Sequence, residues 1–162
     1  MKIFVPYPDI EEEISIVNQF SSFTNSQKES EKKENKILSL KDLEKLRRAC
    51  EDVKCAKEIT KYIVSIVAAT RPLEESKKDE YVQGSYLSYI LYGASPRATI
   101  AIQKCAKIKA MFEGRDFVIP EDVKAVAHAA LRHRLKLSYE AAADSLSPDD
   151  IISKLLDLIP QP

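Results

Sequence analysis

Gly93-Ala94-Ser95-Pro96-Arg97-Ala98 has the pattern of a helix start with an arginine in the first turn. Ser95 can cap the helix, and Pro96 suits the first helical position because a backbone N–H there would have no partner. Unpaired N–H groups, the positive end of the helix dipole and the Arg97 guanidinium would then meet at one place. Arg97 and Ser95 are therefore candidate phosphate-binding residues. The alternative is an ordinary helix start whose arginine is simply solvated.

The composition excludes several classes of protein. The 162 residues suffice for one sizeable core or two small ones. Because 25 basic residues balance 25 acidic ones, neither a strongly basic nucleic-acid binder nor a membrane-surface protein is indicated. No apolar run approaches membrane-spanning length, and no signal peptide is visible. Three cysteines without a CxxC pair fit a reduced, cytoplasmic setting, and two histidines form no metal-binding pattern.

The glycines show which nucleotide motifs are missing. Only Gly84, Gly93 and Gly114 occur, and none is followed by Lys-Ser or Lys-Thr, so the sequence has no P-loop. GxGxxG and GxSxG motifs are equally absent, and no apolar strand ends in paired acidic residues that could hold magnesium. The sequence therefore contains no complete catalytic constellation.

The N-terminal third predicts a short strand, a helix and a polar loop. Residues 2–5 alternate like a strand that has no partner nearby, which suggests that its sheet lies upstream. Asp9 is expected to cap a helix that runs to about Phe20, with Glu12 completing a capping box. The predicted buried stripe of that helix is Ile10, Ile14 and Val17. Residues 21–36 are almost entirely polar and are predicted to be a mobile loop.

The rest of the chain predicts further helices with few extended segments. One helix begins after Ser39, and the clearest one has its apolar stripe at Ile59, Tyr62, Ile63, Ile66, Val67 and Thr70. The helix after Ser95 is expected to continue through Ala101, Cys105, Ile108 and Phe112 and to end at Gly114. Two more helices begin at the prolines of Ile119-Pro120 and Ser147-Pro148.

Three shorter segments complete the interpretation. Residues 73–92 are expected to be irregular. Residues 117–119 and 135–137 are brief extended runs that could pair as a small ladder. The predicted fold is therefore mostly α, a bundle of about five or six helices with short extended segments.

The order and spacing of several motifs closely resemble the C-terminal lid of MoxR-type AAA+ ATPases, relatives of the magnesium-chelatase ATPase subunit. The resemblance covers nearly the whole chain. It rests on Tyr62-Ile63 through Ala69-Thr70-Arg71, Tyr92-Gly93-Ala94-Ser95-Pro96-Arg97-Ala98, Gly114-Arg115-Asp116-Phe117-Val118-Ile119-Pro120-Glu121-Asp122-Val123, Leu131-Arg132-His133-Arg134-Leu135 and Leu137-Ser138-Tyr139-Glu140. One departure is Ile119, which cannot cap its helix as the family's usual Thr or Ser does.

The resemblance implies a domain organisation. Residues 1–8 would be the last strand and exit segment of a nucleotide-binding core that the sequence does not include, and residues 9–162 would be the helical lid. Arg97 would be the second sensor, which reaches the γ-phosphate. The chain alone, without P-loop or magnesium-binding acids, would be inactive.

The resemblance also implies ligands and partners. ATP and Mg²⁺ would be the cofactors of the full-length protein. The partners would be the upstream core, neighbouring subunits of a ring, a client protein that is remodelled in a chaperone-like way, and a von Willebrand factor A-domain protein. Membrane binding is not expected, and nucleic-acid binding is not favoured.

Some residues leave alternatives open. Arg71, Arg132 and Arg134 could contact nucleotide or a neighbouring subunit, although arginines at helix C-termini usually bond the last carbonyls. A function of another class is also possible: a stand-alone helical protein-interaction or nucleic-acid-binding module. Its surface would be residues 132–136 with a platform of tyrosines, Tyr81, Tyr86, Tyr89 and Tyr92.

Overall fold

The computed structural model describes residues 1–3, 5–20, 38–71 and 86–162. The fold is mostly helical, as predicted, and these residues contain seven α-helices rather than five or six. A 3-10 turn at Tyr86–Tyr89 and two short strands complete the elements. In chain order the helices and strands are α1 (Ile10–Phe20), α2 (Leu40–Asp52), α3 (Lys57–Ala69), β1 (Ile90–Tyr92), α4 (Pro96–Phe112), α5 (Pro120–Leu131), β2 (Lys136–Leu137), α6 (Tyr139–Ala143) and α7 (Pro148–Leu158).

The described residues divide into two compact units, and the smaller one, residues 3–44, contains α1 and the start of α2. The predicted capping box of α1 is confirmed, because the Glu12 N–H donates to Asp9 Oδ1 at 2.8 Å and the Asp9 N–H donates to Glu12 Oε2 at 3.2 Å. The predicted burial of the α1 stripe is wrong. Ile10, Ile14 and Val17 are all more than half exposed.

Two N-terminal predictions are not tested by this unit. Residues 1–3 and 5–9 belong to neither a helix nor a strand, so the strand of a longer protein stays a prediction. The predicted mobile loop at 21–36 lies outside the described residues.

At the start of α2, the Asp42 N–H donates to Ser39 Oγ at 3.2 Å, which confirms Ser39 as the cap.

The core of the larger unit, residues 1–2 and 45–162, forms where α4 packs between α3 and α5 and α7 packs on α5. The predicted α3 stripe is confirmed in full, since all six of its residues are buried. The stripe of α4 differs in part from the prediction: Ala101 and Cys105 are half-buried, and Cys105 packs against the core. The fully buried residues of α4 are Ala98, Ile102, Ala106 and Ala110, whereas Ile108 and Phe112 are exposed.

The difference on α4 has a steric reason. Residues four apart share one helix face, and three of the four buried residues are alanines. Small side chains allow neighbouring helices to approach closely, so the packed face is chosen by size as well as by hydrophobicity. Hydrophobicity alone favoured Ile108 and Phe112, which are large but lie outside the buried face.

The strands pair differently from the prediction. Residues 117–119 do not pair with 135–137; instead β1 pairs antiparallel with β2, with Ile90 opposite Leu137 and Tyr92 opposite Lys136. Phe117 forms a parallel bridge with Lys54. The 12 residues of α5 lie between the two runs and span about 18 Å, which separates them. The segment 86–92, predicted to be irregular, forms the 3-10 turn and β1.

Helix α5 begins without a capping side chain at Ile119, and Asp122 compensates. The Ile119 N–H donates to Asp122 Oδ2 at 3.0 Å. The Arg115 guanidinium donates to both carboxylate oxygens of Asp122, at 2.7 and 2.6 Å, and also to the Phe117 carbonyl. Gly114 places Arg115 there: its φ of 73° ends α4, as predicted, and the Arg115 N–H donates to the Ala110 carbonyl at 2.9 Å.

The ion pair between Arg115 and Asp122 predicts a pH-dependent contribution to the stability of the fold. Burial raises the pKa of Asp122, but the Arg115 bonds and the Ile119 N–H lower that pKa by more, so it lies below its usual range. A carboxyl whose pKa is depressed by folding stabilises the fold above its unfolded pKa, about 4, and the contribution is lost as pH falls through the folded pKa. We expect Asp122→Asn to lower the free energy of unfolding by about 2 kcal/mol at pH 7, with a difference that shrinks below pH 4.

Urea unfolding at pH 7, 5 and 3.5 measures this difference. The matched control is Glu113→Gln, which breaks the exposed ion pair with Lys109 and should cost much less. A difference between wild type and Asp122→Asn that stays constant over this pH range would contradict the assignment.

Candidate functional site

The candidate site is the N-terminus of α4, where Arg97 is exposed at the second helical position. Ser95 occupies the N-cap position as predicted, with extended backbone, but its hydroxyl makes no capping hydrogen bond. The Ala98 N–H, one of the amides that a cap would bind, donates instead to the Ser95 carbonyl at 2.8 Å. Ser95 itself is exposed.

The electrostatics of this helix start are unlike those of the others. Among the seven helices in the described part of the chain, only α4 has no acidic residue in its first turn. Within the same residues, no hydrogen bond or ion pair of the Arg97 side chain is found, whereas Arg115 is engaged by Asp122. The positive end of the α4 dipole and the Arg97 guanidinium are therefore not neutralised from within this part of the chain.

The start of α4 is held by the end of α3. Thr70 is fully buried, and its hydroxyl donates to the Val67 carbonyl at 2.7 Å while accepting the Ala94 N–H at 2.9 Å. The neighbouring Arg71 Nε donates to the Ala94 carbonyl at 3.3 Å. Both backbone polar groups of Ala94, three residues before Arg97, are thus bound by consecutive residues of one helix end.

Gly93 lies against the same helix end with no room for a side chain. A Cβ built on Gly93 would lie 2.3 Å from the Thr70 carbonyl oxygen and 2.7 Å from Arg71 Cα. Both atoms belong to the backbone, so they cannot move aside as a flexible side chain would. We call Thr70, Arg71, Gly93 and Ala94 the α3–α4 clamp.

The other basic residues considered from the sequence are engaged within the chain. Arg132 Nε donates to Asp149 Oδ1 at 3.2 Å, and Arg134 donates to the Ala130 carbonyl at the end of α5. Lys136 Nζ lies 5.8 Å from the ring centre of Tyr92. The Arg134 contact is the one expected of an arginine at a helix C-terminus, and Arg132 and Lys136 contact side chains elsewhere in the chain.

The tyrosines also have separate local roles. Tyr86 lies beneath the ammonium group of Lys154, which is 3.6 Å from its ring centre, and Tyr89 Oη donates to Asp144 Oδ2 at 2.5 Å. Both pack beside a small apolar cluster of Ile90, Ile151 and Leu155. Tyr81 lies outside the described residues. Tyr86 and Tyr89 therefore help to hold the 86–92 segment in place, whereas Tyr92 is exposed and contacts Lys136.

In the ranges described, no group of three His, Cys, Asp or Glu residues is arranged to hold a metal ion. None of the helices in those ranges is long and apolar enough to cross a membrane.

Comparison with known proteins identifies the domain. Residues 88–155 match the AAA lid domain family. The chain is 35% identical over 161 residues to the chaperone MoxR1 of Mycobacterium tuberculosis. The aligned residues cover 99% of this chain and 40% of that protein. It is also 35% identical over 86 residues to the MoxR protein of Methylorubrum extorquens, covering 52% of this chain and 22% of the relative.

A solved structure gives the same result at the level of the fold. The crystal structure of a candidate ATPase from Cytophaga hutchinsonii superimposes on the whole chain with a TM-score of 0.79 and 36% identity, covering 46% of that protein. The chain belongs to the lid domains of MoxR-type AAA+ ATPases. It spans less than half the length of each of these relatives.

Within this MoxR-type lid, sequence analysis singled out Arg97 and Ser95 but missed Thr70 and Gly93 as residues that hold them. The signal for Thr70 was present, because it is the one aliphatic hydroxyl residue in the α3 stripe. The lid residue Tyr62, predicted to belong to the apolar stripe of α3, is a core residue. Burial, together with the charge of Glu121, raises the pKa of its hydroxyl.

The Gly93 contact predicts a large steric effect from one methyl group. We expect Gly93→Ala to lower the free energy of unfolding by about 2 to 3 kcal/mol, because backbone atoms of Thr70 and Arg71 would have to move. The control is Gly114→Ala, whose Cβ would meet nothing within 4 Å and whose cost, about 1 kcal/mol, comes only from the positive φ. Chemical unfolding of both variants measures the difference, and equal losses would contradict the close-contact interpretation.

Proposed function

We propose that this lid domain is part of an ATP-hydrolysing ring ATPase and that Arg97 is its second sensor, which contacts the γ-phosphate of bound ATP. In this proposal residues 1–8 leave an upstream nucleotide-binding core and residues 9–162 form the lid. The observation that carries the proposal is the exposed Arg97 on the one described helix whose first turn has no acidic residue.

The residues at the α4 start suit a terminal phosphate. In the first turn of α4, Pro96 has no N–H and the Ala98 N–H donates to the Ser95 carbonyl, so the Arg97 N–H is a donor left for an anion. The helix dipole also favours an anion there. Arg97 adds planar donors that match phosphate oxygens in pairs. ATP would supply the phosphoryl group, and Arg97 would orient its terminal oxygens. We assign no magnesium ligand to the described residues, so the upstream core would hold Mg²⁺.

The lid would pass the nucleotide state on to partners. Because Arg97 would bind only when a terminal phosphate is present, ATP binding would pull the α4 start towards the core and hydrolysis would release it. This motion would reach neighbouring subunits of a ring and then a client protein in the cytoplasm. The chaperone name of the Mycobacterium relative supports remodelling of a client, and a von Willebrand factor A-domain protein is the partner we propose beside it.

The alternative of a stand-alone interaction or nucleic-acid-binding module has less support. Its proposed surface consists of residues 132–136 and the tyrosines, and Arg132, Arg134 and Lys136 already have partners within the chain. A native reading frame that starts at Met1 without an upstream P-loop would favour the alternative.

Mutation of Arg97 tests the proposal in the full-length ATPase. We expect Arg97→Ala to reduce ATP turnover by about 10- to 1,000-fold, which corresponds to about 1.4 to 4 kcal/mol of transition-state stabilisation. The melting temperature should change little, because the side chain is exposed. Arg97→Lys should restore only part of the activity, since an ammonium keeps the charge but not the planar donors.

The control for Arg97 is Arg134→Ala, which removes an arginine that bonds a carbonyl at the end of α5. It should leave turnover near the wild-type value. If Arg97→Ala retained full turnover while Arg71→Ala or Arg134→Ala abolished it in a folded protein, the sensor role would belong to another arginine.

The isolated chain gives an independent test. Without a P-loop, a single arginine and one helix start should hold a triphosphate only weakly. We expect isothermal calorimetry with Mg-ATP to give a dissociation constant of about 1 mM or weaker. Micromolar affinity would mean that this chain contains a nucleotide site of its own, which the proposal does not include.

A further inference from the structure

The α3–α4 clamp has a polar component that packing alone does not require. Two apolar helix ends could meet through side chains without buried hydrogen bonds. Here the fully buried Thr70 hydroxyl uses both its proton and a lone pair, donating to Val67 and accepting from Ala94. A valine has nearly the same shape as threonine but can form neither bond. The hydroxyl is therefore specific to how the α4 start is held.

The chain between the clamp and Arg97 has little freedom. Ala94 is fixed at its N–H by Thr70 and at its carbonyl by Arg71. The proline ring of Pro96 restricts φ, and the Ser95 carbonyl is tied to the Ala98 N–H. A rotation of the Ala94 peptide groups would consequently be transmitted to the Cα of Arg97 rather than absorbed on the way.

From this geometry we infer that Thr70 and Arg71 are positioning residues for Arg97, acting through the two backbone polar groups of Ala94. The inference rests on the proposed function of Arg97. It also gives Arg71 a role: the Nε bond to Ala94 makes it a support of the sensor and not a second nucleotide-binding arginine. Neither residue touches the nucleotide in this scheme.

Substitutions at Thr70 in the full-length ATPase test the inference. Thr70→Val should lower kcat for ATP hydrolysis about 5- to 20-fold with a smaller change in KM, because Arg97 would be misplaced mainly where it meets developing charge. Thr70→Ser keeps the hydroxyl and should stay within about twofold of wild type. Thr60→Val is the matched control: Thr60 in α3 also donates to a backbone carbonyl, that of Ala56, and its partner on α4 is Gln103, well beyond the α4 start.

A double-mutant cycle separates positioning from general destabilisation. If Thr70 acts through Arg97, Thr70→Val should cause no further loss of turnover in an Arg97→Ala background. If it only loosens the fold, the two losses should multiply, and the inference is overturned while the proposed function stands. If Arg97→Ala alone leaves turnover unchanged, the proposed function fails, and the inference fails with it.

A second variant covers the case in which Thr70→Val does not fold. Arg71 is exposed, so Arg71→Ala removes the bond to the Ala94 carbonyl with little effect on packing. We expect it to lower kcat about 3- to 10-fold and to be silent in the Arg97→Ala background. A loss that persists at full size in that background would show that Arg71 acts on its own and would overturn its positioning role.

Discussion

The contact between the end of α3 and the start of α4 is the constraint on which the candidate site depends. Two backbone segments meet there so closely that Gly93 cannot carry a Cβ, and Thr70 is completely enclosed. A buried hydroxyl without partners would destabilise the fold, whereas this one has two. The close approach brings the Thr70 hydroxyl within hydrogen-bonding distance of Ala94, and the hydrogen bonds in turn satisfy the hydroxyl that this approach buries. The two features together fix the position of the α4 start.

The buried face of α4 also fixes the orientation of the helix that carries Arg97. Ala98, Ile102, Ala106 and Ala110 lie along one face of α4 and are fully buried, which fixes the rotation of the helix about its axis. Arg97 immediately precedes the first of these residues, so its direction is set by the same packing. The exposed Arg97 side chain thus extends from a helix start that is held by the α3–α4 clamp before it and by the buried face of α4 after it. Such a fixed position suits the contact with a ligand that we propose for Arg97.

Much of the fold could be predicted because its signals are local. The α3 stripe, the caps at Asp9 and Ser39 and the end of α4 at Gly114 each depend on residues a few positions apart. The pairing of β1 with β2 and the bridge between Lys54 and Phe117 join distant segments, and short apolar runs do not specify their partners. The same limit applies to the site. Arg97 is a candidate because of its own motif, whereas the role we infer for Thr70 depends on its contact with Ala94, which the sequence does not specify.

The contrast between Arg97 and Arg115 shows how one fold can use the same side chain in two ways. Both arginines lie close in sequence to a helix that begins with proline. At α5, Asp122 binds the guanidinium with both carboxylate oxygens, and a phosphate there would first have to displace that carboxylate and meet its negative charge. At α4 the first turn has no carboxylate, so binding an anion would cost only the removal of water. Acidic residues at helix starts stabilise helices, and their absence at α4 alone among the described helices gives up about 0.3 to 1 kcal/mol of that stability. That loss is understandable if the helix start is completed by a ligand's negative charge.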